Sequence, residues 1–270
     1  MNTMVIEEHW IDTPLGRYFA KSWTPKASAV EPSAPILLFH DSLGSVELWR
    51  DFPHLLATAT SRRVVAYDRF GFGRSSSHPG GWSVGFIDDE AEHSFPVLQN
   101  ALAFTNFVAF GHSVGGAMAA ACASRYSTQC EALITESGQA YVDTGVLEGI
   151  RQAKQFFESN NQIDRLAKYH GDKALWVLSA WCDTWLSEDF ASWTINQSAP
   201  QVLCPQLVFH GDRDEYGSTD HARYIATLSN DSSNLIILNE CGHVPHREYP
   251  DVIVRETEKF LRHQIPLRQK

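Results

Sequence analysis

Short, largely apolar runs recur along the chain, separated by longer stretches whose apolar positions have helical spacing. Such runs, bounded by turn residues, are typical of central parallel strands, which are buried on both faces of a sheet. The predicted strands lie at 36–39, 63–67, 107–110, 132–135, 206–210 and 234–238. Helices are predicted at 48–59, at 86–102, directly after residue 113, at 220–228 and at 252–263. Pro96 is expected to kink or split the second of these helices.

Two further strand-like pieces at 5–10 and 17–23 are predicted to form a hairpin through residues 12–16, and 26–35 is predicted to be a loop. Strands that alternate with helices predict an α/β fold with a doubly wound, mostly parallel sheet and helices on both faces. Residues 139–197 interrupt this rhythm, because their pattern is helical throughout. We therefore predict a core domain of residues 1–138 and 198–270 and a helical insertion at 139–197.

The segment 107–122 combines a short buried strand, a glycine-containing turn and an alanine-rich helix. Gly111, Ser113 and Gly115 form the G-x-S-x-G pattern of a nucleophile elbow, in which a strained strand-to-helix turn projects the serine hydroxyl. Glycine at the flanking positions lets the strand and the helix pass closely. The pattern alone is weak evidence, but the strand before it and the small-residue helix after it are the required context. The sequence therefore predicts Ser113 as a nucleophile.

A serine hydroxyl keeps its proton at neutral pH, so the elbow needs a general base, and a carboxylate must orient that base. The loop after the last predicted strand contains two histidines, His243 and His246. We favour His243, because Gly242 before it lets the loop turn the ring towards the sheet. His246 lies beyond Pro245 and nearer the next helix, and it is kept as the alternative.

The loop after the strand at 206–210 contains two acids, Asp212 and Asp214, of which Asp214 is the predicted orienting acid. Asp212 lies closer to the strand and remains an alternative. Glu136, at the end of the strand that follows the elbow, is a second alternative. All of these groups follow the carboxyl ends of strands, which is where open α/β sheets place their active sites.

Acyl transfer also needs two N–H donors for the tetrahedral oxyanion. The first predicted donor is Val114, at the helix N-terminus directly after the serine. The second is Ser42, in the loop that follows the strand at 36–39. His40 begins the same loop, and we predict that it braces the loop structurally.

These motifs resemble those of the α/β-hydrolase fold family, in family order and over nearly the whole chain. The motifs are the strand end Phe39-His40, Asp68-Arg-x-Gly-x-Gly-x-Ser75, the elbow, Gly211-x-x-Asp214 and Gly242-His243. The resemblance implies Ser113 as nucleophile, His243 as base, Asp214 as orienting acid, and Ser42 and Val114 as backbone donors. It further implies that 139–197 is a lid, that 68–75 is a structural turn, and that the protein uses no metal or organic cofactor.

One position departs from the family pattern. Asp41 stands where the family usually has glycine, and we expect an awkward backbone there, which Asp tolerates better than most residues. The loop 41–44, Asp-Ser-Leu-Gly, is similar to the Ser-Leu-Gly loop of enol-lactonase-like members. The resemblance therefore favours lactones and small carboxylic esters as substrates.

The predicted substrate pocket combines this loop, the elbow and the insertion: its members are Asp41, Leu43, His112, Trp176, Trp181 and Trp185. Packing of the insertion onto the core is an equally good interpretation for each tryptophan, including Trp193. The basic residues Arg151, Lys154 and Arg165 are interpreted as exposed helix charge in preference to contacts with an anionic substrate.

Composition narrows the class of protein. The chain has 22 basic and 32 acidic residues, a formal net charge of −10, and no basic patch, which argues against nucleic acid or an anionic membrane as partners. Its first ten residues lack the features of a signal peptide, and no apolar run approaches the ~20 residues of a membrane span. Five cysteines without a C-x-x-C pair predict reduced thiols and a cytoplasmic protein.

The sequence therefore predicts a serine hydrolase that cleaves a small carboxylic ester or lactone, as a monomer or homodimer. The same residues also fit hydrolysis of an amide or of a carbon–carbon bond in dienoates, and cofactor-free perhydrolysis. A receptor that keeps the pocket and turns over slowly or never is an alternative from a different class, and a scaffold with a dead site is a third.

Overall fold

The computed structural model describes residues 4–26, 33–80, 83–159, 162–229 and 233–265, so part of the loop predicted at 26–35 lies outside the described residues. The strands are β1 (Met4–Thr13), β2 (Gly16–Pro25), β3 (Ile36–Phe39), β4 (Val64–Asp68), β5 (Phe107–His112), β6 (Cys130–Glu136), β7 (Gln206–Gly211) and β8 (Ser233–Leu238). The helices are α1 (Phe52–Thr60), α2 (Phe86–Asp89), α3 (Phe95–Ala101), α4 (Val114–Arg125), α5 (Thr144–Ser159), α6 (Ile163–His170), α7 (Ala174–Trp185), α8 (Ile195–Ser198), α9 (Thr219–Ile225), α10 (Pro245–Glu248) and α11 (Pro250–Gln264).

Within the described residues, the strands form a single sheet in the order β1-β2-β4-β3-β5-β6-β7-β8. The first two strands form an antiparallel hairpin, and β2 pairs antiparallel with β4. Every pair from β4 to β8 is parallel. The predicted fold class, a mostly parallel sheet with helices on both faces, is confirmed.

Side chains of the central strands enter two apolar layers, one on each face of the sheet. Strand β3 shows the division most simply: Leu37 and Phe39 belong to one layer, whereas Ile36 and Leu38 belong to the other. Because successive strand residues point to opposite faces, a strand covered on both sides must be apolar at every position. This is the reason why the strand-like runs in the sequence are continuous instead of alternating.

The predicted helix at 86–102 is divided, although not by a simple proline kink. A π-helical turn, Glu90–Ser94, separates α2 from α3, and Pro96 lies in the first turn of α3. The π turn begins at a buried contact, in which the Tyr67 hydroxyl donates to Glu90 Oε1 at 2.6 Å. Single π turns inside α-helices commonly mark such local requirements.

The turn at 68–75 is structural, as the family resemblance implies. The buried Asp68 carboxylate accepts hydrogen bonds from the N–H groups of Val46 (2.6 Å) and Arg74 (2.7 Å). A Cβ at Gly73 would lie 2.1 Å from the Asp68 carboxyl group, and Gly73 has a φ of +46°. The glycine is therefore required both by the space under the carboxylate and by the backbone conformation.

Residues between β6 and β7 form the helices α5 to α8, and an antiparallel bridge between Tyr141 and Thr194 joins the two ends of this segment. The N–H of Ile195 also donates to the carbonyl of Ala140 at 2.7 Å. The five cysteines are free and buried. Among the described residues, none of the helices has the length and apolar character needed to cross a bilayer.

The close approach of β5 and α4 at the elbow depends on two glycines. A Cβ at Gly111 would lie 2.1 Å from the carbonyl oxygen of Gly115, and a Cβ at Gly115 would lie 2.1 Å from the carbonyl oxygen of Phe39. The backbone of α4 therefore contacts both β5 and the end of β3 without intervening side chains. This places the residue after Gly111 and the loop after Phe39 beside each other.

We expect Gly115→Ala to lower the free energy of unfolding by about 3 kcal/mol, because a backbone carbonyl cannot rotate away from the added methyl group. Gly85→Ala is the matched control, since among the described residues its Cβ would meet only Ser83 Oγ, at an ordinary 3.4 Å. Urea unfolding followed by circular dichroism measures both variants. Equal stability of Gly115→Ala and the wild type would contradict this account of the elbow.

Candidate active site

Ser113 lies at the tip of the elbow in a strained backbone conformation, with φ 57° and ψ −127°. Positive φ is costly for a serine and is tolerated only where the surroundings enforce it. The residue is 5% exposed. Its hydroxyl donates to Gln139 Oε1 at 3.3 Å, just beyond the end of β6. The structure thus places the predicted nucleophile at the carboxyl end of the sheet, with its hydroxyl accessible from one cavity.

His243 and Asp214 form a bidentate pair beside this cavity. His243 Nδ1 lies 2.8 Å from Asp214 Oδ1 and 2.9 Å from Oδ2. Asp214 also accepts from the Tyr216 N–H at 2.8 Å. Burial opposes ionisation of Asp214, but the positive potential and hydrogen bond of His243 hold the pKa of Asp214 below its ordinary value. A carboxylate at Nδ1 fixes the tautomer that leaves Nε2 free to take a proton.

The two alternatives for base and acid lie together elsewhere. His246 Nδ1 is hydrogen-bonded to Glu136 Oε1, and both side chains are buried. Burial lowers the pKa of His246, opposed by the neighbouring Glu136. Asp212 is exposed. Among the candidates, the structure pairs Asp214 with His243 at the cavity that contains Ser113, as the sequence favours.

The loop after β3 is organised by Asp41 itself. The Leu43 N–H donates to Asp41 Oδ1 at 3.0 Å, and the Gly44 N–H donates to the Asp41 carbonyl at 3.2 Å. This is the local side-chain-to-backbone turn that aspartate forms readily. Ser42 lies between these residues and lines the cavity, while Val114 is the first residue of α4. The two predicted oxyanion donors therefore come from separate elements: Ser42 shares a cavity wall with Ser113, and Val114 follows Ser113 in the chain.

The expectation of an awkward backbone at Asp41 is wrong. Among the described residues, the non-glycine positions with positive φ are Arg50, Ser61, Ala103, Ser113, Ser137 and Glu240. The special requirement falls on Gly44 instead, where a Cβ would lie 2.5 Å from Asp41 Oδ1. Glycine is needed three residues later because the Asp41 carboxylate folds back over the loop.

His40 braces the same loop, as predicted. Its Nδ1 donates to the Asp41 carbonyl at 2.8 Å, and its Nε2 accepts from the Arg69 backbone N–H at 3.3 Å. Burial, together with the Arg69 guanidinium, holds the pKa of His40 well below its ordinary value, so the ring is neutral. The guanidinium also donates to the Asp41 carbonyl at 2.6 Å.

A cavity of about 220 Å³ opens above the serine. Its walls come from the loop after β3, from the insertion, and from the loops after β7 and β8: Asp41, Ser42, Leu43, Ser113, Gln139, Val146, Ile150, Trp181, Trp185, Glu215, Tyr216, His243 and Val244. The part contributed by α5 and α7 is apolar, whereas the part near the sheet carries the polar groups. This is the usual pattern of a small-molecule site.

Two predicted pocket residues lie elsewhere. Trp176 packs on Gly71, where a Cβ would lie 2.1 Å from its ring, and its ring centroid is 5.7 Å from that of Phe72. Trp176 therefore attaches the insertion to the core and is absent from the cavity wall. His112 is 1% exposed and is oriented behind the elbow, towards Asp41 and away from the cavity.

The basic residues of α5 pair with acids at the surface. Arg151 lies 3.9 Å from Glu148, and Lys154 lies 2.9 Å from Asp183. Arg165 is also exposed. These contacts agree with their interpretation as helix charge. Trp193 stacks on Phe190, with ring centroids 5.3 Å apart, and packs the insertion.

Three contributors to the site had no sequence signal of their own. Gln139 accepts from Ser113, and the Tyr216 ring packs at 4.7 Å from that of His243. His170, in α6, accepts from the Gly73 N–H through Nδ1 at 2.9 Å and donates from Nε2 to the Leu43 carbonyl at 3.0 Å. The segment between β6 and β7 is thereby hydrogen-bonded to the loop after β3, which contains the predicted oxyanion donor Ser42. These residues can be identified only once the fold shows which loops lie next to one another.

One cluster has the composition of a metal site: ligand atoms of His112, Glu136 and His246 lie within 4.8 Å of one another. Both ring nitrogens of His112 already face oxygen acceptors, from Asp41 and from the His243 backbone. His246 Nδ1 is likewise bonded to Glu136. A cation there would have to displace these contacts, so the cluster is better described as a buried hydrogen-bond network.

The sequence matches the family described as alpha/beta hydrolase fold over residues 34–176, which is more than half of the chain. The chain belongs to the α/β-hydrolase family. This hydrolase is 26% identical to human (Homo sapiens) serine hydrolase BPHL over 238 residues, covering 84% of this chain and 78% of that protein. Family membership and serine hydrolase relatives together support hydrolase activity.

Solved structures show the same fold. The hydrolase is similar to 2-hydroxy-6-oxo-6-phenylhexa-2,4-dienoate hydrolase from Rhodococcus sp. strain RHA1, with a TM-score of 0.79, 16% identity, and coverage of 96% of this chain and 100% of that one. It is also similar to a membrane phospholipase A described as a bacterial virulence factor, with a TM-score of 0.75 and 20% identity, covering 96% and 86% respectively.

The geometry predicts that Asp214→Asn slows attack by Ser113 by about 10³–10⁴-fold, because an amide no longer holds the tautomer of His243. The measurement is the rate at which a fluorophosphonate forms a bond to Ser113 Oγ and releases fluoride, followed by intact mass. Asp212→Asn, two residues away and exposed, should label at the wild-type rate. Equal labelling rates for the two variants would remove Asp214 from the site.

Proposed function

We propose that this hydrolase cleaves small, neutral carboxylic esters or lactones through an acyl-enzyme on Ser113. The observation that carries the proposal is the convergence of the strained serine and the His243–Asp214 pair on one cavity. Nucleophile, base and orienting acid come from three separate strand ends. That arrangement serves acyl transfer, in which the base must both accept and return a proton.

In the first half of the reaction, the Ser113 hydroxyl turns from Gln139 towards His243 Nε2 and attacks the substrate carbonyl. His243 takes the proton, and Asp214 stabilises the imidazolium that forms. The N–H groups of Ser42 and Val114 hold the oxyanion, a contribution for which loss of one donor costs on the order of 10²–10³ in rate. His243 then returns the proton to the departing alcohol, which leaves an ester on Ser113.

In the second half, water replaces the alcohol. His243 Nε2 takes a proton from that water, whose oxygen attacks the acyl carbonyl. The oxyanion again forms against Ser42 and Val114, and the serine oxygen leaves with the proton from His243. For a lactone, the leaving alcohol remains part of the product as a hydroxy acid.

The charge of the cavity supports a neutral substrate. Among the described residues that line it, the carboxylates are Asp41 and Glu215, and none is lysine or arginine. A substrate carboxylate would find no cation to pair with and would meet like charge. This weighs against the dienoate carbon–carbon hydrolase alternative, although the relevant catalytic groups would be the same.

The size and walls of the cavity support a small acyl group. Its 220 Å³ lies below the roughly 300–1,000 Å³ typical of sites for drug-sized ligands. Val146, Ile150 and Trp185 form an apolar wall opposite the serine. In this proposal, residues 139–197 act as the lid that forms that wall and excludes water.

A panel of aryl esters of two- to eight-carbon acids, with five- and six-membered lactones, tests the proposal. We expect wild-type turnover of short neutral members and none by Ser113→Ala, which removes the attacking oxygen. Absence of wild-type turnover on every member would contradict the proposal and favour a receptor or a different bond. Added peroxide and carboxylate in a parallel assay distinguish a perhydrolase.

Charge selection is tested with two esters of the same length, one neutral and one ending in a carboxylate. We expect the neutral ester to be preferred by about ten-fold in kcat/KM, because Glu215 repels the anion. Glu215→Gln should narrow this ratio without changing turnover of the neutral ester. A preference for the anionic ester would contradict the interpretation of the cavity charge.

Chain-length preference is tested by Trp181→Ala, with Trp176→Ala as the matched control from the same helix. Trp181 lines the cavity and Trp176 does not, so we expect only the first change to shift the preferred acyl chain towards longer members. Trp176→Ala should lower Tm because it empties the contact on Gly71. The rank order of the ester panel and a thermal melt separate the two effects.

A further inference from the structure

The ring of His112 faces an oxygen acceptor at each nitrogen. Nε2 lies 2.8 Å from the backbone carbonyl of His243, and a carbonyl oxygen can only accept a hydrogen bond. Nδ1 lies 3.3 Å from Asp41 Oδ2. The other oxygen of Asp41 accepts from the Leu43 N–H, as expected for an ionised carboxylate. A carbonyl at Nε2 and a carboxylate beside Nδ1 together favour a proton on each ring nitrogen, which is the imidazolium form of His112.

The surroundings of the ring favour this charge. Burial opposes it, but the Asp41 carboxylate, then Glu136, and the His243 carbonyl raise the pKa of His112 to about 8. Three further rings pack around His112: those of His243 and His246, with centroids 5.1 Å away in each case, and that of Trp49 at 6.3 Å. Burial likewise opposes ionisation of Asp41, yet His112 and Arg247 hold the pKa of Asp41 well below its ordinary value.

We propose that His112, as an imidazolium paired with Asp41, is a positioning residue that fixes the oxyanion loop and the His243 loop relative to Ser113. The proposal rests on the proposed function, since it assigns how that same site is held in its reactive geometry. One ring at the end of β5 contacts Asp41, which precedes Ser42, and the backbone of the general base. The ring therefore links the oxyanion loop and the His243 loop to β5, the strand that leads into Ser113.

The pair has a second consequence for the chemistry. Asp41 lies at the edge of the cavity beside Ser42, and an unpaired carboxylate there would oppose the negative charge that develops on the substrate oxygen. His112 neutralises that charge from behind the loop, out of contact with substrate. Its loss of a proton at high pH would free the Asp41 charge and remove one contact to the loop.

The kinetic test is the pH profile of kcat and KM for a neutral aryl ester. In the wild type, we expect kcat to fall as the pH rises through about 8, where His112 loses its proton. Asp41→Asn keeps an oxygen for the Leu43 N–H but removes the counter-charge. It should lower kcat about ten-fold at pH 7.5, leave KM nearly unchanged, and move the falling limb at least one pH unit lower.

His112→Asn should lower kcat by a similar factor, and the double variant should be no slower than the worse single variant, because both changes break one pair. His221→Asn is the matched control: it breaks another pair between a buried histidine and a carboxylate, in which His221 Nε2 lies 3.3 Å from Asp143 Oδ2, so stability should fall while the falling limb stays in place. Additive losses, or an unmoved limb in Asp41→Asn, would overturn the positioning role.

A second readout does not need turnover. The folded-state pKa of His112 lies above its unfolded value, so its stabilising contribution is fully present below about pH 6.5 and is lost as pH rises through about 8. In a Ser113→Ala background, adding His112→Asn should therefore lower Tm more at pH 6 than at pH 9. Nitrogen-15 NMR should show two N–H groups on His112 at pH 6.

These readouts separate the two proposals. If no ester or lactone is hydrolysed but the Tm difference and the two N–H groups are present, the proposed function fails and the ion pair stands. If esters are hydrolysed but NMR shows one N–H on His112 at pH 6, the imidazolium assignment fails and the hydrolase remains.

Discussion

The contact of bare backbone with backbone at the elbow is the constraint on which the site depends. Gly111 lets α4 approach β5, and Gly115 lets it approach the end of β3. With a side chain at either position, the helix would move outward and carry Ser113 and Val114 with it. The loop after β3 and Ser113, the proposed nucleophile, are neighbours because no side chain separates their backbones, and the strain at Ser113 follows from the same tight turn.

Polar groups behind this contact are organised as histidine–carboxylate pairs. The His243–Asp214 pair faces the cavity, and the His246–Glu136 pair lies deeper. The third pair, His112–Asp41, is hydrogen-bonded to the first through the His243 carbonyl and packs against the His246 ring. Buried ionisable groups need partners, and here each carboxylate is paired with a histidine from the end of another strand. The carboxyl edge of the sheet is thereby cross-linked by hydrogen bonds as well as by apolar packing.

The sequence predicted the parts of the fold that depend on local pattern. Continuous apolar runs located the parallel strands, and the elbow glycines located Ser113, because these signals arise from burial and sterics within a few residues. The choice of Asp214 and His243 rested on strand-end placement and chain order. The role of Asp41 was not predicted, because its partners Leu43 and His112 depend on a side-chain direction. Trp176 was wrongly predicted to line the pocket, because the spacing of tryptophans does not show which face of the helix meets the core.

His170 extends the influence of the helical segment between β6 and β7 beyond the cavity wall that this segment forms. Its ring is hydrogen-bonded both to the turn at Gly73 and to the carbonyl of Leu43, so part of the loop after β3, which contains the proposed oxyanion donor Ser42, takes its position from α6. Replacing the segment between β6 and β7 with one from another protein would change both the proposed acyl pocket and the loop after β3. In this hydrolase, exchange of the segment between β6 and β7 alone is therefore expected to change substrate range and catalytic rate together.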